Sequence, residues 1–227
     1  MKVSLVMITM NRVEIVKHTM GVILNNAGHD FELLVADNGS TDGVIEYIEE
    51  LKPKVHLING ENKGVACALN ELIKCSSADL VCHIGNDIIM TGGWLKSLVY
   101  HHESIVSTGV CAIHTVEVLP PLSTIGDLGV HLSKIVFGPK AYRRKVVGKT
   151  AYKAFSKYGF EDSDLSLRLY YAGYYNYYVP GMKGNHVGHD METDSEYRRM
   201  KTRELAKSHI GFVESVNEYK NHDMSKY

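Results

Sequence analysis

Leu33-Leu34-Val35-Ala36-Asp37-Asn38-Gly39-Ser40-Thr41-Asp42-Gly43 runs from four apolar residues straight into a polar cluster. A short apolar run bounded by Asp, Asn, Gly and Ser reads as a buried strand ending in a loop. Ser40, Thr41 and Asp42 are placed to cap a helix over Val44 to Leu51, and Pro53 stops it. The same layout recurs. Val3 to Ile8 ends in Thr9-Met10-Asn11-Arg12, Val55 to Ile58 ends in Asn59 to Lys63, and Leu80 to Ile84 ends in Gly85-Asn86-Asp87. Helices are predicted over Val13 to Leu24, Gly64 to Lys74 and Gly93 to His101. Strand–helix alternation of this kind predicts an α/β protein with a mostly parallel central sheet, flanked by helices and joined by right-handed crossovers. Ligands of such sheets bind outside the carboxyl ends of the strands, so the polar clusters predict one shared site.

Beyond residue 104 the pattern changes. Residues 105 to 140 are rich in β-branched residues with Gly and Pro interruptions, which predicts short strands and loops. A helix is predicted over Val146 to Tyr158. Another runs over Glu161 to Ala172, with Leu165, Leu169 and Ala172 on one face and Gly173 as its stop. Tyr174 to Val179 reads as a strand, and a charged helical tail extends from about Thr193 to Lys220. The expected organisation is therefore a half over residues 1–104, a second half of the same domain over 105–190, and a helical tail over 191–227.

A net charge of -1 argues against a binder of nucleic-acid backbones, which needs a strong basic excess. The four cysteines form no Cys-x-x-Cys pair, and three lie among apolar neighbours, so reduced core residues are expected. No apolar run approaches the roughly 20 residues that span a bilayer, and the N-terminal run is too short for a signal peptide. A cytoplasmic protein is the default expectation.

Asp87, at a strand end, suits Mg2+ or Mn2+, hard cations often bound by one or two carboxylates plus substrate phosphates. Taken alone, a helix cap before Thr91-Gly92-Gly93-Trp94 is the stronger reading. Glu161-Asp162-Ser163-Asp164 likewise reads first as three acids stabilising a helix N-terminus. Its functional reading is a general base directed into the crevice. Trp94 reads as a packing residue with one edge exposed, or as a wall of the acceptor site. Arg143-Arg144-Lys145 and the Arg198, Arg199, Lys201 and Arg203 run read as solvated basic faces.

Taken together, these segments resemble glycosyltransferase family 2, the inverting enzymes of the GT-A fold, from Val3 to about His189. Val3 to Arg12 looks like the family's first strand and its Thr-x-Asn-Arg turn. Residues 33–43 are similar to its most specific mark, Val-Val-Asp-Asn-x-Ser-x-Asp-Gly. Asn62-x-Gly64 with Asn70 resembles the third-strand loop. Ile84-Gly85-Asn86-Asp87 with Gly93-Trp94-Leu95 looks like a version of the metal-binding Asp-x-Asp motif. Glu161-Asp162-x-Asp164-Leu165-x-x-Arg168 with Val179-Pro180 resembles the catalytic segment.

The resemblance implies roles. Asp162 would be the base that deprotonates an acceptor hydroxyl, with Glu161 beside it. Asp87 and His186 would hold Mn2+ or Mg2+ against the diphosphate of a nucleoside-diphosphate sugar, a UDP-sugar most commonly. Thr9, Asn11, Arg12, Asp37 and Asn38 would line the nucleotide pocket, and Asn62, Gly64, Asn70, Asn86, Trp94 and Asp164 would complete the substrate-binding set. Arg168 would pair with Asp164 four residues away. The acceptor would be a glycan or a lipid-linked glycan, and the tail helix would be open to peripheral membrane contact.

The chain departs from the family pattern at Gly85, where the fullest motif has an acid, and His189 rivals His186 as a ligand. Two alternatives stand beside this reading. A sugar nucleotidyltransferase is disfavoured because Thr9 to Arg12 lacks the glycines of a triphosphate loop. A non-catalytic nucleotide-sugar or glycan-binding module is kept open by Gly85 and opposed by the retention of both Asp87 and Asp162.

Overall fold

The computed structural model describes residues 1–115, 117–148, 151–187 and 195–221, with side chains from residue 198 onward in the last stretch. Strands β1 (Val3–Thr9), β2 (Glu32–Asp37), β3 (Val55–Ile58) and β4 (Leu80–Ile84) pair in parallel in the order β3-β2-β1-β4. Helices α1 (Val13–Asn25), α2 (Val44–Glu50) and α3 (Val65–Cys75) make the crossovers. The chain thus winds outward from β1 to β3, then returns to the other side of β1 as β4. The carboxyl ends of β1 and β4 flank the point where winding reverses, which is where such sheets leave a crevice.

Period-two alternation divides the strand residues between two cores. Leu5, Met7, Val35, Cys82 and Ile84 pack with Val16, Met20 and Ile23 of α1. Val6, Leu34, Ala36 and Val81 pack with Leu69, Leu72 and Ile73 of α3. Both faces of the sheet are covered, so β1 and β4 are buried along nearly their whole length.

The later elements are β5 (Ile88–Met90), α4 (Trp94–Ser104), β6 (Thr108–His114), β7 (Ser123–Ile125), β8 (Leu128–Leu132), β9 (Lys140–Arg143), α5 (Arg144–Val147), α6 (Glu161–Tyr171), β10 (Tyr175–His186) and α7 (Ser195–Asn221). They extend the sheet as β4-β9-β6-β10-β8-β7, with β5 on β10. Strand β9 runs antiparallel between β4 and β6, so both halves of the chain share one sheet.

Three expectations change. The helix expected over Val146 to Tyr158 is confined to Arg144–Val147, followed by Gly148 at φ 70°. Residues 151–158 are irregular, and their backbone groups bond outside themselves. Asn70 donates from Nδ2 to the Tyr152 carbonyl at 2.7 Å and accepts the Tyr152 N–H at 3.0 Å, while Val65 donates to the Lys157 carbonyl at 3.0 Å. Strand β10 continues beyond Val179 to His186, and Pro180, which lacks a donor, falls at a register shift. Only two cysteines are core residues. All four are free, with Cys82 and Cys111 buried and Cys67 and Cys75 exposed on α3, outside its buried face.

Helix α7 lies on α6 through Phe212, Val216 and Tyr219, which pack with Leu167. Among the described residues no helix is long and apolar enough to cross a membrane.

Candidate active site

The turn after β1 is held in an uncommon conformation. Asn11 (φ 56°) and Arg12 (φ 68°) both lie in the left-handed region, which non-glycine residues adopt only where the surroundings fix them. The surroundings are the turn after β2. Ser40 Oγ accepts the Asn11 N–H at 2.7 Å, Asn11 Oδ1 accepts the Thr41 N–H at 2.8 Å, and Asp42 Oδ2 accepts the Val13 N–H at 2.8 Å. Asp42 therefore serves the start of α1, and it also accepts the Val44 N–H at 3.3 Å. Helix α2 itself begins at Gly43 without a side-chain cap bond, so the expected cap is shared between two helices. Asp37 is fully buried. Its carboxylate takes the N–H groups of Gly39 and Ser40, at 3.0 and 2.9 Å, and the Ser40 hydroxyl.

The left-handed turn sends Arg12 into a cavity of about 430 Å³ at the β1/β4 switch point. There its Nη1 lies 3.3 Å from Asp87 Oδ2. Asp87 sits in the turn between β4 and β5, not at a helix start. Helix α4 begins after Gly93 with no side-chain cap, so the capping reading of Asp87 does not hold. Antiparallel pairing of β5 with β10 sets His186 opposite Ile88, and His186 Nδ1 comes 3.7 Å from Asp87 Oδ1. Burial pushes the Asp87 carboxyl up, but the hydrogen bond and charge of His186, with Arg12 and Lys201, outweigh it and hold the group below the usual carboxylate range. A Cβ at Gly85 would stand 3.1 Å from Asp87 Oδ1 and 3.0 Å from Ile88 Cδ1. An acid at that position would have to displace one of them. Asn86 turns its amide back to Ile8 O and Thr9 Oγ1, both at 3.3 Å, tying the ends of β4 and β1 together.

Among the described residues no three His, Cys, Asp or Glu side chains converge as a metal centre. A carboxylate and an imidazole 3.7 Å apart still fit a divalent cation that draws its other ligands from a diphosphate and water.

The second wall comes from α6. Phe160, at φ 66°, turns the chain so that Glu161 and Asp162 enter the same cavity. Asp162 Oδ2 is 2.6 Å from the ammonium of Lys140, a lysine only 1% exposed, and Oδ1 is 3.9 Å from His83 Nδ1. Burial, and then the Asp162 charge, raise the Glu161 carboxyl to about 7. Burial, and then the Lys140 charge, depress His83 to about 4, so its ring is neutral at physiological pH. Helix α6 is fixed from behind. Asp164 is fully buried, accepts the Tyr219 hydroxyl from α7 at 2.5 Å and meets Arg168 at 3.4 Å, the pairing expected from their spacing. Burial raises the Asp164 carboxyl despite these partners.

Of the residues singled out in the sequence, Arg12, Asn38, Asn62, Asn86, Asp87, Glu161, Asp162 and His186 line one cavity. Thr9, Asn11, Asp37, Gly64, Asn70 and Asp164 are not among the residues that line it. Gly64 admits the Lys157 backbone, since a Cβ there would lie 2.8 Å from Lys157 Cα. Trp94 is not at the cavity. It is fully buried, with no exposed edge, and its indole N–H donates to Ile23 O at 2.9 Å in the core under α1. His189 lies outside the described residues. The cavity also has members the sequence reading missed: His83, Lys140, Lys157 and Lys201. The sequence places Lys201 on a solvated face, but α7 brings it to the Tyr158 ring, 5.4 Å from the centroid.

The family model described as Glycosyl transferase family 2 matches residues 4–122, just over half of the chain. The "Uncharacterized glycosyltransferase YfnE" of Bacillus subtilis (strain 168) is 28% identical over 87 residues, 37% of this chain and 22% of that protein. The fold is shared with the mannosyltransferase PcManGT from Pyrobaculum calidifontis, solved with GDP-Man and Mn2+ (TM-score 0.62, 15% identity, 79% of this chain and 55% of that one). It is also shared with GalNAc-T7, solved with UDP, GalNAc and Mn2+ (TM-score 0.66, 13% identity, 82% and 44%). The chain thus spans about half or less of the length of these proteins. The sheet and its flanking helices are those of the GT-A fold, and the chain belongs to glycosyltransferase family 2.

Proposed function

We propose that this chain transfers a glycosyl group from a nucleoside-diphosphate sugar to an acceptor hydroxyl, with inversion at the anomeric carbon. The observation that carries the reading is that Asp87, with Arg12 and His186, and Asp162, with Glu161, line a single cavity at the switch point of the sheet. Arg12 and Asn38 stand where the donor nucleotide and its diphosphate would lie. Lys201 adds a second cation on that side, since its charge reaches Asp87.

In the proposed reaction the acceptor oxygen forms a bond to the anomeric carbon as the bond from that carbon to the diphosphate oxygen breaks. The leaving diphosphate keeps the bonding electron pair. Asp162 takes the hydroxyl proton, help worth roughly 10²–10⁴-fold from a positioned base. A base on the face opposite the leaving group implies in-line attack and hence inversion. A Mn2+ or Mg2+ ion held by Asp87 and His186 would supply charge stabilisation to the leaving diphosphate. A uridine nucleotide is our first choice of donor, and a glycan or lipid-linked glycan our choice of acceptor. We place the reaction in the cytoplasm, in keeping with four free cysteines.

Calorimetric titration with UDP, GDP and dTDP, each with and without Mn2+, tests the donor side. One nucleotide binding more tightly with Mn2+ is expected. Failure of all three to bind would overturn the donor assignment and favour a glycan-only binding module. Equal affinity with and without Mn2+ would overturn the metal role alone.

A further inference from the structure

Lys140 has no counterpart in the motifs that identify the family, yet it is among the most buried side chains of the protein. Lys140 opens β9, between Pro139 and Ala141 in the chain, and its partners across the sheet are His83 of β4 and Ala112 of β6. An unpaired ammonium in such a place would carry the large desolvation penalty of a buried ion. The charge is tolerable because Asp162 Oδ2 lies 2.6 Å away. The dependence is mutual. Asp162 Oδ1 is buried and has no hydrogen-bond donor, so Lys140 is the one full positive charge in hydrogen-bonding contact with this carboxylate among the described residues.

We propose that Lys140 is a positioning residue for the transfer reaction: its buried ammonium pairs with the carboxylate of Asp162 and fixes its orientation. The inference rests on Asp162 being the base. Lys157 lines the same cavity, but among the described residues the lysine in ion-pair contact with Asp162 is Lys140. Glu161 precedes Asp162 on α6 and is another acid. His83 of β4 is held neutral by burial and by Lys140 itself. Tyr142 of β9, Tyr152 of the segment before α6 and Tyr178 of β10 are phenols whose ionisation burial opposes. Without Lys140, two adjacent carboxyl groups would share a half-buried corner with no cation in contact, and Glu161, whose carboxyl Lys140 pulls down, would hold its proton to higher pH. A merely structural ion pair would alter stability when broken but leave the pH dependence of turnover where it was.

The test is Lys140→Met, which keeps the unbranched side chain and removes the charge. Nucleoside diphosphate release from UDP-GlcNAc or GDP-mannose into water, whichever donor the unmodified chain uses, is followed as a function of pH. The acidic limb of the turnover profile is expected to move up by about one unit, so turnover at a pH well below the midpoint of that limb falls about tenfold relative to the plateau. Donor KM should stay within about threefold, a change under 1 kcal/mol. A limb that does not move overturns the proposal. Asp162→Asn measured alongside separates the two claims. Near-normal turnover there removes the base assignment, whereas an inactive Asp162→Asn beside an unmoved Lys140→Met limb removes only the role of Lys140. Lysine side-chain 15N NMR of the unmodified protein needs neither a donor nor a folded Lys140 variant. A slowly exchanging ammonium signal that disappears in Asp162→Asn supports the pairing, and lysine signals indifferent to Asp162→Asn overturn it.

Discussion

Tyr219→Phe removes one oxygen from the joint between the tail helix and the helix carrying the proposed base. The ring stays in its place against Leu167, Phe212 and Val216, so packing is preserved and the hydrogen bond is isolated. What is lost is the 2.5 Å bond from the Tyr219 hydroxyl to Asp164 Oδ1. Asp164 is fully buried, so water cannot replace the donor, and Arg168 at 3.4 Å remains on the other oxygen. A hydrogen bond to a charged group contributes roughly 1.5–3 kcal/mol, and leaving a buried acceptor unpaired costs a similar amount. For a chain of this size each kcal/mol is about 2–4 °C, so Tm should fall by roughly 3–12 °C. Burial already raises the Asp164 carboxyl, and Tyr219 opposes that rise. Removing the hydroxyl penalises the ionised form further, so the destabilisation should be largest at neutral pH and shrink where Asp164 is protonated. Urea unfolding of both proteins at neutral and acidic pH measures the difference. Equal midpoints at neutral pH would show that the tail helix does not hold α6 through this bond.

Asp87→Ala should weaken Mn2+-dependent nucleotide binding by more than about tenfold, the scale that outer-shell changes alone can reach at metal sites. Unchanged affinity by calorimetry would exclude Asp87 as the ligand. His186→Ala is expected to cost more binding than His189→Ala, and the reverse order would transfer the ligand role. Glu161 has its folded-state pKa raised from 4.5 to about 7. Its stabilising contribution is complete below 4.5 and is lost as pH rises through about 7. Glu161→Gln should therefore flatten the decline in stability across that window and leave the protein more stable above neutral pH. An unaltered slope in pH-dependent urea unfolding would contradict the burial of this acid.

The first four strands were legible because each is a short apolar run that ends in the residues that build a turn. The polar clusters at their carboxyl ends also pointed to one shared site, and the sheet order β3-β2-β1-β4 brings Arg12, Asn38 and Asp87 together there. The rest depended on contacts that local pattern does not encode. Residues 151–158 carry helix-compatible side chains, but the Asn70 amide and the start of α3 take up their backbone groups. Strand β5 has only three residues and exists because β10 pairs with it, and that pairing brings His186 to Asp87. Trp94 reads as a packing residue with one edge exposed, or as a wall of the site, until Ile23 O is seen to accept its N–H. Lys140 follows Gly138 and Pro139 at the end of a segment read only as short strands and loops. Only the insertion of β9 between β4 and β6 shows that it is buried, and no composition or spacing signal announces that a late strand will be threaded there.

The measurement closest to the centre of this account is donor turnover by Asp162→Asn at saturating nucleotide sugar, with donor affinity measured on the same protein. Asp162 enters the cavity from α6, away from the loops expected to hold the nucleotide, so affinity should be kept while turnover falls by about 10²–10⁴-fold. Turnover within a few-fold of the unmodified chain would contradict the assignment of the base.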